Sequence, residues 1–235
     1  MTEPLLVLDH VSRGFAGAPR AVDDVSLALP AGATLAVVGE SGSGKSTLAR
    51  LAAGLLRPQS GSVRFAAGRH RVAMVFQDPA GSLDPRWPVG ASIAEPLRAL
   101  GRRRDGHAAR VAALLEQVGL PPAVAARRPD RFSLGQVQRI AIARALAGEP
   151  DFLVCDEPTS ALDVSVQAQV LNLLRALQRR LGLTMLFISH DPGVVRFMAD
   201  TVAVMQHGRI VEAGAAAEVF ARPAHAVTRR LLAAA

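Results

Sequence analysis

The run Thr34-Leu35-Ala36-Val37-Val38 is apolar, β-branched and stops at a glycine, and Thr47-Leu48-Ala49-Arg50-Leu51-Ala52-Ala53 has helical spacing. Joining them is Gly39-Glu40-Ser41-Gly42-Ser43-Gly44-Lys45-Ser46-Thr47, which fits the pattern G-x-x-x-x-G-K-[ST]. A buried strand, a glycine-rich loop and a helix in that order confine the chain to an α/β layout. Without side chains at Gly39, Gly42 and Gly44, backbone N–H groups can converge on an anion at the helix N-terminus. Lys45 then reaches the β- and γ-phosphates of a nucleotide, and the Ser46 hydroxyl ligates Mg²⁺. Lys45 is the only lysine in the chain; every other strongly basic residue is arginine. A compact, flexible ammonium suits phosphate here better than a planar fork. A chance glycine-rich turn would need neither the strand before it nor the helix after it. The stretch reads as a nucleotide phosphate site.

Half of the 235 residues are apolar, enough for one large domain or a domain with an insertion. No apolar run approaches the ~20 residues of a transmembrane helix. The N-terminus, with Glu3 and Pro4 early, lacks the basic and apolar regions of a signal peptide, so a cytoplasmic location is expected. The single cysteine, Cys155, excludes an internal disulfide and fits a reducing compartment. The net charge of +7 admits two readings. A nucleic-acid surface wants basic side chains interleaved with aromatics, yet aromatics are 4% and tyrosine is absent. The preferred reading is a solvated, arginine-rich surface able to lie near anionic lipid headgroups, with no nucleic-acid partner.

Upstream of the loop, Leu5–Leu8 and Asp24–Leu29 read as strands around a turn-rich segment, residues 14–19. Phe15 lies in that segment and, from pattern alone, reads as a loop residue folded onto the core. Ser62–Phe65 is a short strand. Val72-Ala73-Met74-Val75-Phe76 is another, ending at Gln77, a polar amide where an α/β sheet tends to place ligand contacts. From Asp78, proline-punctuated loops and helical patches around Ile93–Leu100 and His107–Val118 replace strands until Phe152. This predicts a helical insertion, 78–148, within an α/β core. Ser133 opens a further helix as its cap, a second potential anion site, although most serine caps only cap.

Phe152-Leu153-Val154-Cys155-Asp156-Glu157 is apolar without alternation, as in a strand buried on both faces. Two carboxylates at its end are costly without a cation or a water to serve. Asp156 suits Mg²⁺ and Glu157 suits a general base polarising water; the plainer alternative is a strand end with an acidic helix cap. Ser160-Ala161-Leu162-Asp163 leads into an amphipathic helix from about Val166 to Leu181, and Thr184–Ile188 is a further buried strand followed by Ser189-His190. Of the six histidines only His190 ends a core strand as Gln77 and Glu157 do. The others read as packing or surface residues, and no histidine or cysteine pair has metal-ligand spacing. Thr201–Gln206 and Arg209–Glu212 read as a closing hairpin. Two short helices near Ala215–Ala221 and His225–Ala234 follow.

As an ordered set these motifs resemble the ATP-binding cassette ATPases, the motor subunits of ABC transporters, over nearly the whole chain. The Walker A is Gly39 to Thr47, the Q-loop glutamine Gln77, the signature loop Phe132 to Gln136, and the Walker B Phe152 to Asp156 followed by Glu157. The D-loop is Ser160 to Asp163, and the switch histidine is His190. The resemblance implies an α/β P-loop NTPase fold with a mainly parallel core sheet, an N-terminal antiparallel β subdomain and an inserted α-helical subdomain. It divides the chain into an α/β nucleotide-binding core, 1–77 and 149–235, and a helical signature subdomain, 78–148. Phe15 falls where the family places an adenine-stacking aromatic, which reverses the pattern-based reading. The segments Val75 to Arg86 and Pro223 to Leu232 look like those of the dipeptide, oligopeptide and nickel importer ATPases, although that subfamily normally shows His-Pro-Tyr-Thr where this chain has His225-Ala226-Val227-Thr228.

The resemblance implies ATP hydrolysis powering an importer for peptides, nickel or a metal chelate. ATP would be held by Phe15 and the Walker A, with Mg²⁺ on Ser46, Gln77 and Asp156. Glu157 would activate water and His190 would steady the γ-phosphate. The partners implied are a second ATPase subunit, identical or different, integral membrane permeases and, indirectly, an extracytoplasmic binding protein. The protein would then sit peripherally on the inner face of the membrane. In such dimers the signature of one subunit covers the nucleotide of the other, so Ser133, Gly135, Gln136 and Asp163 would act across the interface. Leu134 departs from the usual Leu-Ser-Gly-Gly-Gln, standing where the first glycine is expected; a crowded approach or a restricted backbone is predicted to weaken that site. Rival readings are a P-loop kinase, a non-transport cassette such as an accessory subunit of a phosphonate-degrading complex, and a nucleic-acid-linked ATPase.

Overall fold

The computed structural model describes residues 4–17, 19–68 and 70–233. Glu3 and Ala234, which enter the readings of the two chain ends, lie outside the described residues. The strands are β1 (Pro4–Arg13), β2 (Val22–Pro30), β3 (Thr34–Val38), β4 (Ser60–Phe65), β5 (Val72–Val75), β6 (Phe152–Asp156), β7 (Thr184–Ile188), β8 (Thr201–Gln206) and β9 (Arg209–Ala215). The helices are α1 (Lys45–Ala52), α2 (Val89–Ala99), α3 (His107–Gln117), α4 (Leu134–Ala147), α5 (Val164–Leu181), α6 (Pro192–Met198), α7 (Ala216–Ala221) and α8 (Ala226–Ala233).

The strands build two sheets, one of order β2-β1-β4 with antiparallel pairing, the other of order β5-β6-β7-β3-β8-β9. In the larger sheet every pairing is parallel except β8 with β9. The expected mixed α/β architecture, with a small antiparallel sheet beside a mainly parallel one, is therefore observed. Alternate residues of β6 enter two different cores: Phe152 and Val154 pack with β1, β2 and α1, whereas Leu153 and Cys155 pack with the helices of the opposite face. Burial on both faces is why the run shows no alternation. Phe187 on β7 is fully buried in the helical-side core, and truncating such a side chain costs roughly 3–5 kcal/mol.

Two local expectations are corrected. Phe76 is not part of β5: the strand ends at Val75, and Phe76 and Gln77 leave the sheet, Phe76 exposed. Between His190 and Thr201, where the sequence reading has no element, α6 forms. Its cap is Asp191, whose Oδ1 accepts from the N–H groups of Gly193 (2.7 Å) and Val194 (3.3 Å), with Pro192 in the first turn.

The register brings the strand ends to one edge. Val75 lies opposite Cys155, Asp156 opposite Ile188, and Ile188 opposite Val37. Gln77, Glu157, His190 and Gly39 therefore all leave the sheet on its carboxyl edge, where open α/β sheets bind ligands.

Candidate functional site

At that edge a cleft of about 550 Å³ is lined by Ala21, Ser41, Gly42, Gly44, Lys45, Ser46, Thr47, Gln77, Glu157 and His190. Its floor is the loop between β3 and α1. A Cβ on Gly39 would meet the Met205 carbonyl oxygen at 2.2 Å, and one on Gly44, at φ +108°, would meet the Ala21 carbonyl oxygen at 1.9 Å. Both glycines are thus required by backbone packed directly behind the loop, and Gly44 also by its left-handed conformation.

Lys45 is buried, its Nζ donating to the carbonyls of Gly39 (2.8 Å) and Glu40 (2.9 Å). Burial lowers its pKa, partly opposed by the negative charges of Glu157 and Asp156. Among the described residues this ammonium has carbonyl acceptors but no ion-pair partner, so a polyanion in the cleft would supply the missing counter-charge. The Ser46 hydroxyl donates to Asp156 Oδ1 at 3.0 Å. Burial raises the Asp156 pKa, while the Ser46 hydrogen bond lowers it and Glu157 nearby adds to the rise. A hydroxyl and a carboxylate oxygen side by side fit a hard divalent cation that also lowers the cost of the buried charge.

Glu157 is the meeting point of the cleft wall. Gln77 Nε2 donates to its Oε2 at 3.3 Å, and His190 Nδ1 lies 3.2 Å from the same oxygen. The Glu157 backbone is left-handed (φ +46°), a conformation that costs a non-glycine residue roughly 1–3 kcal/mol. It is held by Glu157 N–H donating to the Ile188 carbonyl (3.1 Å) and by Ser160, whose N–H (3.3 Å) and hydroxyl (3.1 Å) both donate to the Glu157 carbonyl. This sharp turn at the end of β6 sets the carboxylate on the cleft wall. A carboxylate fixed by an amide and an imidazole beside a phosphate-binding loop can take a proton from water attacking there.

Other candidates lie elsewhere. Gly39 and Glu40 contribute carbonyls to Lys45 rather than lining the cleft, and the Ser43 hydroxyl is buried without a partner among the described residues, facing a small cavity of about 50 Å³ on the far side of the loop. Phe15 does not fold onto the core. It is 47% exposed, stacked under the Arg13 guanidinium at 5.4 Å, and is not among the residues lining the cleft, whereas Ala21 is. Ser133, Gly135, Gln136 and Asp163 gather away from the cleft, at the starts of α4 and α5. Ser133 and Gln136 form a reciprocal capping box, Asp163 caps α5 by accepting from Val166 N–H (2.9 Å), and a Cβ on Gly135 would meet Val166 Cγ1 at 2.3 Å. Leu134 and Val164 stand exposed beside them. Ala21 and the backing residue Met205 carried no signal in the sequence, being an alanine before one strand and a methionine inside another.

A strand, glycine-rich loop and helix joined to an acid, an amide and a histidine at neighbouring strand ends form a cleft of the kind that can hold a nucleotide's phosphates. Comparison with known proteins is specific. The family model described as "ABC transporter" matches residues 22–160, and the chain belongs to that family. It is 51% identical over 235 aligned residues to the oligopeptide transport ATP-binding protein OppD of Mycobacterium tuberculosis, across 94% of this chain and 38% of that protein. With OppF of Escherichia coli, an oligopeptide transport ATP-binding protein, identity is 48% across 92% of this chain and 69% of the relative. The chain thus spans about two fifths of the length of the mycobacterial relative. Among solved structures, CbiO1 of Clostridium perfringens, part of the ABC transporter complex CbiONQ, superposes with a TM-score of 0.82 at 29% identity, over 94% of this chain and 92% of that one. An ATP-binding cassette seen as a dimer in a post-hydrolysis state with ADP and Pi gives 0.79 at 26% identity, over 90% and 98%.

Proposed function

We propose that this chain is an ATP-hydrolysing subunit of a peptide importer. The observation that carries the reading is the convergence of Gln77 and His190 on the Glu157 carboxylate at the mouth of the phosphate-loop cleft. The loop N–H groups and Lys45 bind the phosphates, and Phe15, exposed beyond the cleft, offers its ring to the adenine. Ser46, Asp156 and Gln77 would hold Mg²⁺, which would neutralise charge on the phosphate oxygens. Glu157 accepts the proton of the attacking water, and Gln77 and His190 orient that carboxylate. His190 would also steady the departing γ-phosphate.

The starts of α4 and α5, with Ser133, Gly135, Gln136 and Asp163, complete the site of a second cassette when two subunits close face to face. That closure would pass to membrane permeases through the helical segment 78–148, read as a subdomain inserted in the nucleotide-binding core, 1–77 and 149–235, and through the loop bearing Gln77. Among the described residues no helix is long and apolar enough to cross a membrane, which suits a subunit held at the inner membrane face by such permeases. The likeness to oligopeptide transport proteins supports a peptide cargo, which an extracytoplasmic binding protein would deliver.

The test uses the parent chain and Glu157→Gln. The parent should release phosphate from ATP without phosphorylating an acceptor, and Glu157→Gln should bind ATP while losing at least about a hundredfold in rate. Light scattering of Glu157→Gln with Mg·ATP should show a dimer, with itself or with a co-purified cassette. A parent chain that binds no nucleotide, or that travels with soluble enzymes and no permease, sinks the proposal.

A further inference from the structure

The loop read as the phosphate site contains a carboxylate, Glu40, although a negative charge there opposes the binding of a polyanion. Its partner comes from 190 positions later: Arg230 Nη2, on α8, donates to Glu40 Oε1 at 2.7 Å. The helix that carries Arg230 is separately fastened. Glu212 on β9 accepts hydrogen bonds from the Thr228 hydroxyl and from the N–H groups of Ala224 (2.8 Å) and His225 (3.0 Å). On the same side of the loop, Gly208 N–H in the β8–β9 turn donates to the Ser43 carbonyl at 2.9 Å. The outer side of the phosphate loop is therefore braced twice, once through its main chain and once through the Glu40 side chain.

Glu40 is also one of the two carbonyl acceptors of the Lys45 ammonium (2.9 Å). A single residue thus links Arg230, through its side chain, to Lys45, through its main chain. As a stabilising contact the pair is poor, because its side chains are 62% and 53% exposed and ion pairs in such positions add little to folding. Its place in the phosphate loop gives it a different consequence. We propose that Arg230 is a positioning residue for nucleotide binding: it neutralises Glu40 and holds that carboxylate turned outward from the phosphates. Affinity for ATP then depends on a helix that contributes nothing to the cleft lining. The inference rests on the reading of the cleft as an ATP site.

Titration calorimetry of the full chain with ATP in EDTA, at low salt, tests it. Arg230→Ala should bind ATP about three- to tenfold more weakly, and the deficit should shrink as salt is raised. In steady-state hydrolysis of Mg·ATP the KM should rise by a similar factor while kcat stays within about twofold. Arg230→Lys should remain close to the parent. Adding Glu40→Gln to Arg230→Ala should restore affinity to within about twofold of the parent, since the local charge is again balanced. Arg230→Gln, which retains side-chain length, repeats the measurement if the alanine variant does not fold. Unchanged affinity without Arg230, or a loss that Glu40→Gln leaves in place, overturns the proposal and reduces α8 to a buttress of the fold. A parent that binds no ATP instead overturns the functional reading beneath it.

Discussion

Replacing Leu134 with glycine tests the proposal that the start of α4 meets a partner's nucleotide. The structure removes one of the two reasons for expecting Leu134 to impair that site. Leu134 is the first residue of α4 in ordinary right-handed helix, behind a complete capping box, so leucine imposes no backbone strain there. What remains is its side chain, 39% exposed at the start of a helix whose first N–H groups have no intrahelical partner. If another cassette's phosphates approach those groups, the isobutyl group must be accommodated between them, and overpacking of this kind costs ~1–3 kcal/mol. That corresponds to roughly 5- to 150-fold in the closure equilibrium. Against it, glycine costs a helix up to ~1 kcal/mol, less at a capped first position. Leu134→Gly should therefore raise the ATPase rate by about fivefold or more and lower the thermal midpoint by no more than ~4 °C. Leu134→Ala, which keeps the helix propensity, should capture most of the gain with little loss in melting temperature. Phosphate release measured across ATP concentrations reads the first effect. Light scattering in the Glu157→Gln background reads closure directly, as a dimer formed at lower protein concentration. An unchanged or reduced rate together with an unchanged dimer population refutes the reasoning, because it means that the side chain does not enter the interface.

Other outcomes follow from the same geometry. Gly44→Ala forces a Cβ to within 1.9 Å of the Ala21 carbonyl at a left-handed φ; nucleotide binding should be lost and the melting temperature should fall by ~5–10 °C, and a variant that binds ATP normally would contradict the packing described behind the loop. Burial pushes the Glu212 carboxyl up, but the hydrogen bonds from Thr228, Ala224 and His225 hold it below its ordinary 4.5. A depressed carboxylate pKa means that its contribution to stability is complete above 4.5 and is lost as pH falls through the lowered value. The melting difference between the parent and Glu212→Ala should accordingly be full at neutral pH and shrink in acid; a difference that grows in acid refutes the assignment. Cys155 is fully buried, and burial raises its thiol pKa, so iodoacetamide should label the native chain no faster than global unfolding permits. Rapid labelling would show that β6 opens locally.

What the sequence disclosed was whatever chemistry is local or set by burial on a single element. Gly39 to Thr47 was readable because its strand, loop and helix are contiguous, and β6 because burial on both faces erases alternation from Phe152 to Asp156. Gln77, Glu157 and His190 could be grouped because each follows a core strand, and parallel strands in register deliver such residues to one edge. Their meeting at one carboxylate oxygen could not be seen, since it depends on Gln77 returning from a loop that leaves the sheet at Val75 and on the left-handed turn at Glu157. The helix α6 escaped notice because seven residues give no periodicity, although Asp191-Pro192 carries its cap and first turn. Phe15 shows the limit of pattern from the other direction: an aromatic residue is usually core, yet this one is lifted into solvent under Arg13. Arg230 and Glu40 are the most opaque pair, an arginine among many and a loop glutamate at opposite ends of the chain. They meet because β8 pairs with β3, so that the chain continuing through β9 and α7 brings α8 beside the loop that follows β3. Sheet order, which no local rule encodes, decides which distant charges reach the phosphate loop.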